Sequence, residues 1–225
     1  MSKNKPQPRR QSSKRQTNWL LIGGVIAIGV IALFALLFLS LQEPEVLTLA
    51  EFCAANPDNC ITDGNKDAAV TIVEVADFGC SHCRDFHEET YPALISEYVD
   101  TDQVYWITLP YALSSTTLPA SNAAMCANEQ GAFHEYGSAL FAQQSEPVAL
   151  TRDGFVQAAE QLGLNMDAFN SCLAEGRYNG IVQDNISAAR TAHVSATPSF
   201  FINDRLVEGA VPISVFQQRI SAAMN

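Results

Sequence analysis

The segment that most constrains this 225-residue chain is WLLIGGVIAIGVIALFALLFLSL, an uncharged run from Trp19 to Leu41. As an α-helix its 23 residues rise about 34 Å, enough to cross a hydrocarbon core of about 30 Å. A cleaved leader carries an apolar stretch of roughly 7–15 residues and ends in small residues of the A-x-A kind. This run is longer and ends LFLSLQEPE. The sequence therefore predicts one retained transmembrane anchor over 19–41.

Residues 1–18 hold six Lys or Arg and no acid. The positive-inside rule makes them a cytoplasmic tail and puts the rest of the chain outside. The expected location is the cell membrane, single-pass, with the N-terminus cytoplasmic and the C-terminal domain extracytoplasmic. That exterior part holds all 24 acids against seven Lys and Arg, a formal charge of −17. Such a surface argues against nucleic acid or anionic lipid as a partner and mainly serves solubility. A domain of this length can build a core without disulfides, yet all six cysteines lie in it. In an oxidising compartment an even count favours disulfide bonds.

Residues 42–69 read as a tether followed by a Cys-bearing loop. VTIVEVADF, 70–78, is β-branched and apolar as a buried central strand would be, and it runs straight into CSHC. From Ser81 to about Val99 the pattern is helical, with Phe86, Thr90, Leu94 and Tyr98 on one stripe and a kink expected at Pro92. QVYWITLP, 103–110, reads as a second strand. Residues from about 115 to 193 look wholly helical. PSFFINDRLVEG then gives two short strands around Asn203–Asp204, a hairpin signal without its usual Gly. A last helix opens with Pro212 at a first helical position. Strand, helix, strand, helical block, hairpin and helix make an α/β plan with a helical insertion.

Cys80 and Cys83 are three positions apart with Ser81 and His82 between them. Covalent haem attachment requires a histidine directly after the second cysteine, where this chain has Arg84. A structural zinc site needs four ligands, and no second close-spaced pair accompanies this one. A cysteine just past a buried strand, at the start of a helix, sits where unpaired N–H groups and the helix dipole favour a thiolate. Cys80 would exchange disulfides, and Cys83, one turn later, would resolve the mixed disulfide. His82 is close enough to stabilise the thiolate further; an exposed helix histidine is the plainer alternative. His87, His134 and His193 carry no partner signal and read as surface or partly buried helix positions.

The run VEVADFGCSHC, with ATPSFFIN about 115 residues later and a helical block between, resembles the DsbA-like thiol–disulfide oxidoreductases of the thioredoxin superfamily, in particular their membrane-anchored extracytoplasmic members. The likeness covers roughly 50–224. It implies a thioredoxin-like fold with an inserted helical domain, preceded by the one transmembrane helix. It also implies that Ser81 and His82 are the variable dipeptide of a Cys80–Cys83 redox pair. Thr197 and Pro198 then form a cis-proline loop that positions substrate, and Glu74 is a buried acid aiding proton movement at Cys83. Ser81 replaces a proline common among strong oxidants of the group, and Ala196 stands where relatives often have Gly.

The other four cysteines pair most simply as Cys53–Cys60 on one loop and Cys126–Cys172 between two helices. The second bridge would contribute about 4 kcal/mol on a chain-entropy argument. Two buried thiols at 126 and 172, or a second redox pair at 53 and 60, remain open on the sequence.

The expected function is introduction of disulfide bonds into exported proteins, with a quinone-linked membrane protein as re-oxidising partner and no cofactor or metal of its own. A reductase or isomerase of the same fold, and a binding module with a structural Cys80–Cys83 bridge, are the alternatives.

Overall fold

The computed structural model describes residues 19–41 and 47–224, with side chains over 23–34 in the first stretch. The chain divides into two units, Met1–Glu45 and Val46–Asn225. The basic tail and the tether residues 42–46 lie outside the described residues. In the first unit, α1 (Trp19–Leu41) is a helix of 23 residues whose described apolar side chains are exposed, Val25 at 71% and Phe34 at 69%. Among the described residues no helix is long and apolar enough to cross a membrane, so the anchor stays an expectation of the sequence.

The second unit is built on a five-stranded sheet of order β1-β3-β2-β4-β5. Its strands are β1 (Ile61–Asp63), β2 (Val70–Ala76), β3 (Val104–Pro110), β4 (Ser199–Ile202) and β5 (Arg205–Glu208). β2 is central and pairs parallel with β3 and antiparallel with β4. The largely apolar run of β2, buried at every position but Thr71, suits a strand covered on both faces. On one face Val70, Ile72, Trp106 and Phe200 pack with Phe86 of α3 (Ser81–Glu89), Leu94 of α4 (Tyr91–Leu94) and Phe216 and Ile220 of α10 (Ile213–Ala223). On the other, Val73, Val75, Ile107 and Leu109 pack with α2 (Leu49–Ala55) and α9 (Asn179–Thr191). Fully burying a side chain such as Phe86 contributes about 1.5–3 kcal/mol.

The rest of the helical stretch comprises α5 (Leu118–Asn128), α6 (Phe133–Ala142), α7 (Arg152–Gln161) and α8 (Met166–Glu175), with its own core around Tyr136, Phe141, Phe155 and Phe169. The predicted insertion is therefore not a separate body throughout, because its last helix, α9, covers one face of the sheet.

Several local expectations shift. The helix expected from Ser81 to Val99 breaks at Thr90, ahead of Pro92, and ends in a π turn over Ile95–Val99. A π turn holds one residue more than an α turn, so Val99 is buried where the stripe called for Tyr98. Pro212 is the N-cap of α10 rather than its first residue. The tether and loop hold α2 and the edge strand β1. The start of α2 is a capping box in which Thr48 accepts from the Glu51 N–H and the Glu51 carboxylate accepts from the Thr48 N–H, a T-x-x-E signature present in the sequence. The hairpin turn lacks Gly because Asn203 and Asp204 take left-handed φ of 41° and 66°, which these two residue types tolerate. Asn203 Oδ1 also accepts from the Thr71 N–H at 2.8 Å.

Candidate active site

The chain leaves β2 through Asp77-Phe78-Gly79, and this turn is held from three sides. Asp77, fully buried, accepts from the Gly79 N–H at 2.8 Å, the Leu113 N–H at 2.7 Å and the Thr117 hydroxyl at 2.8 Å. The Phe78 ring lies against Phe133 and Phe141, with centroids 5.8 and 5.2 Å away. From beyond the end of α6, the Gln144 amide donates to the Phe78 carbonyl at 2.8 Å and the Cys80 carbonyl at 3.1 Å. Gly79 is required here, since a Cβ would come within 2.3 Å of Thr117 Cγ2.

Held this way, Cys80 becomes the N-cap of α3, half-buried, and Cys83 is fully buried one turn later. Both are unbonded thiols. A hydrogen bond from the Cys83 thiol lowers the Cys80 thiol to about 5 against the opposing effect of partial burial, helped by the Thr197 side chain and the N–H groups of Cys83 and His82. Burial first, then the adjacent Cys80, pushes Cys83 well above its ordinary value. Cys83 Sγ also accepts from the Asp77 N–H at 3.5 Å. Two thiols in one turn are thus driven apart, one to a nucleophile or leaving group, the other to a proton carrier.

The loop before β4 closes the site. As a thiol, Cys80 donates to the Thr197 carbonyl at 3.3 Å, and the Thr197–Pro198 peptide is cis. Among the described residues the buried Thr197 hydroxyl has no hydrogen-bond partner; a thiolate at Cys80 would supply its acceptor. Ser81 is exposed at the first position of α3. The His82 side chain is 71% exposed with Nδ1 4.0 Å from an Asp85 carboxylate oxygen. It is the His82 backbone N–H, not its ring, that bears on Cys80.

Glu74 is fully buried on the sheet face that meets α3. It bonds His87 Nε2 at 2.8 Å and accepts from the Thr108 hydroxyl at 3.4 Å. His87 is a partly buried helix residue, as expected, with a partner that the sequence reading did not identify: it lies one turn after Cys83, on the buried side of α3, and meets the acid. The i, i+4 spacing of Cys83 and His87 was the available signal. His134 likewise has a partner, Asp63, at 3.0 Å. Asp77 and Gln144 carried no sequence signal. The other cysteines are bonded as Cys53–Cys60 and Cys126–Cys172. The first pair packs under α2 against Val73 and Ile107, in a different core from Cys83.

A thioredoxin-like sheet with two free cysteines at a strand-to-helix junction, a facing loop with a cis proline and an appended helical block is the architecture of a class of thiol-exchange proteins. The thioredoxin family profile matches residues 57–222, and the chain belongs to that family, as a DsbA-like member of the superfamily by fold. Wolbachia pipientis alpha-DsbA1 superposes with a TM-score of 0.67 at 24% identity, covering 74% of this chain and 91% of that one. Bacillus subtilis BdbD gives a TM-score of 0.65 at 18% identity, covering 72% and 91%. By sequence, the chain is 34% identical over 169 residues to a Salinispora tropica protein named Na(+)/H(+) antiporter NhaA 3, covering 75% of this chain and 25% of the relative. It is 24% identical to a Rickettsia bellii protein named "Putative protein-disulfide oxidoreductase", covering 72% of this chain and 63% of the relative. The chain thus spans a quarter of the first of these relatives and under two thirds of the second.

Proposed function

We propose that this chain is a membrane-anchored thiol:disulfide oxidoreductase that introduces disulfide bonds into exported proteins through Cys80 and Cys83. The observation that carries this reading is the contrast between the half-buried Cys80, its thiol lowered to about 5, and the buried Cys83, its thiol raised. A substrate thiolate attacks Cys80 Sγ of the oxidised pair; the Cys80–Cys83 bond breaks, and Cys83 leaves and takes a proton. The second substrate thiol, losing its proton, attacks the substrate sulfur of the mixed disulfide and expels Cys80 as a thiolate. The substrate gains a disulfide, the pair gains two electrons, and the proton lost by the second substrate thiol balances the one taken up by Cys83. A stable Cys80 thiolate favours the reduced pair and so makes the oxidised pair a stronger oxidant.

In this reading Thr197 and Pro198 align the substrate backbone beside Cys80, and Ser81 and His82 are the dipeptide between the redox cysteines. Glu74 handles the proton at Cys83, and the helix over 19–41 holds the domain at the outer face of the membrane. The reduced pair passes its electrons to a quinone-linked membrane protein, so no cofactor of its own is needed.

The test is the equilibrium reduction potential of Cys80–Cys83, titrated with glutathione and read by thiol trapping and mass spectrometry. A value between about −120 and −180 mV supports a disulfide donor, and one near −270 mV indicates a thioredoxin-like reductant. A pair below about −300 mV would be a structural bridge and would sink the proposal.

A further inference from the structure

Cys83 is fully buried, yet each turnover must bring it a proton and each re-oxidation must remove one. We propose that this proton travels between Cys83 and solvent along Glu74, His87, Tyr91 and His134, a route between the sheet and the helical block. The inference rests on the redox reading above.

The connections run outward in sequence. Glu74 Oε1 is 2.8 Å from His87 Nε2. The His87 ring lies 4.5 Å, centroid to centroid, from that of Tyr91. The Tyr91 hydroxyl is 3.5 Å from His134 Nδ1, and His134 Nε2 is 3.0 Å from Asp63 Oδ1. Exposure rises along the path, from a fully buried Glu74 side chain to 15% at His87 and 36% at His134. A cavity of about 20 Å³ lined by His87, Tyr91, Thr108, His134 and Ser138 lies along the outer part of the path, and at its inner end the Glu74 charge acts on Cys83. The cavity's volume is enough for one bridging water, while Phe78, Phe133 and Phe141 wall it with apolar surface.

The groups suit the task. An imidazole accepts a proton on one nitrogen and releases it from the other. Burial pushes the Tyr91 hydroxyl up, so Tyr91 passes a proton as donor and acceptor without ionising. Burial, the largest single influence, pulls His134 down, but the hydrogen bond to Asp63 together with the negative charges of Asp63, Glu135 and Glu74 leaves the ring above its ordinary value. His87 faces Glu74 from β2, Tyr91 from α4 and the Phe141 ring from α6. His134 faces Asp63 from β1 and Tyr91 from α4, with Glu135 beside it on α6.

The test follows oxidation of the reduced full chain by oxidised glutathione, with acid quenching and mass spectrometry. Attack by the Cys80 thiolate forms a mixed disulfide and releases one glutathione thiolate. Resolution needs the Cys83 proton to leave before Cys83 attacks Cys80 Sγ and expels the second glutathione. In His87→Gln, which keeps a donor to Glu74, and in His134→Ala, the mixed disulfide should accumulate and resolve at least about tenfold more slowly. Its formation rate and the equilibrium potential should stay unchanged, and added imidazole should restore the rate of His134→Ala. Unchanged resolution in both variants, or slowing that imidazole does not relieve, overturns the route. Failure of the parent protein to form a mixed disulfide at Cys80 would instead overturn the redox reading.

Discussion

The Cys80 thiol donates to the Thr197 backbone carbonyl at 3.3 Å, joining the start of α3 to a loop 117 residues further along the chain. The Thr197 hydroxyl, buried and without a hydrogen-bond partner among the described residues, adds a donor for the thiolate form. One residue therefore serves both protonation states, accepting from the thiol with its carbonyl and donating to the thiolate with its hydroxyl.

Thr197→Val keeps the shape of the loop and removes that donor. The Cys80 thiol should titrate above about 5, and a pair with a less stable thiolate should be a weaker oxidant. Thiolate absorbance against pH, read beside the reduction potential, checks this; an unmoved titration would remove the hydroxyl from the account.

Stability of the reduced protein should follow the same thiols. Cys80 has a folded value of about 5 against an ordinary 9.0, so the unfolded state binds more protons between these values and stability rises with pH across that window. The contribution is complete above about pH 9 and lost as pH falls through about 5. Cys83 is raised and acts in the opposite sense, withdrawing stability as pH climbs past 9.0. Urea unfolding of reduced protein from pH 5 to 9, compared with Cys80→Ser, should show the rise only in the parent.

Gly79→Ala should destabilise the domain by about 1–3 kcal/mol. The new Cβ would meet Thr117 Cγ2 at 2.3 Å, and the displaced Thr117 would loosen its 2.8 Å bond to Asp77. Thermal unfolding reads the loss; wild-type stability would mean that the turn can move aside.

Removing the Cys126–Cys172 bridge as a double alanine variant should cost about 2–4 kcal/mol, because it opens a 46-residue separation within the helical block. Glutathione exchange at Cys80 should continue at the parent rate, since its donors come from other residues. A changed exchange rate would show that the bridge also shapes the redox turn.

Much of the site was legible because its signals are local. A largely apolar, buried strand running into CSHC placed Cys80 at a helix start, and helical spacing put Cys83 on the buried side. The stripe Phe86, Thr90, Leu94 held until the π turn displaced it. The placement of His82 is local too: at the exposed second position of α3 its ring lies toward Asp85, the exposed helix histidine given as the plainer alternative, while its backbone N–H serves Cys80.

By itself the sequence determined the strand-to-helix seat of Cys80, the helical block, the hairpin and the cysteines available for bridges, because burial period, caps and turn chemistry are written within a few residues. Tertiary structure alone decided that Asp77 would latch Thr117, that Gln144 would hold the Cys80 carbonyl, that His87 would meet Glu74, and that α9 would cover the sheet. Those are choices of partner for buried polar groups and open faces. Each must be satisfied by whatever the packed chain brings near, and no local pattern records which distant residue that will be.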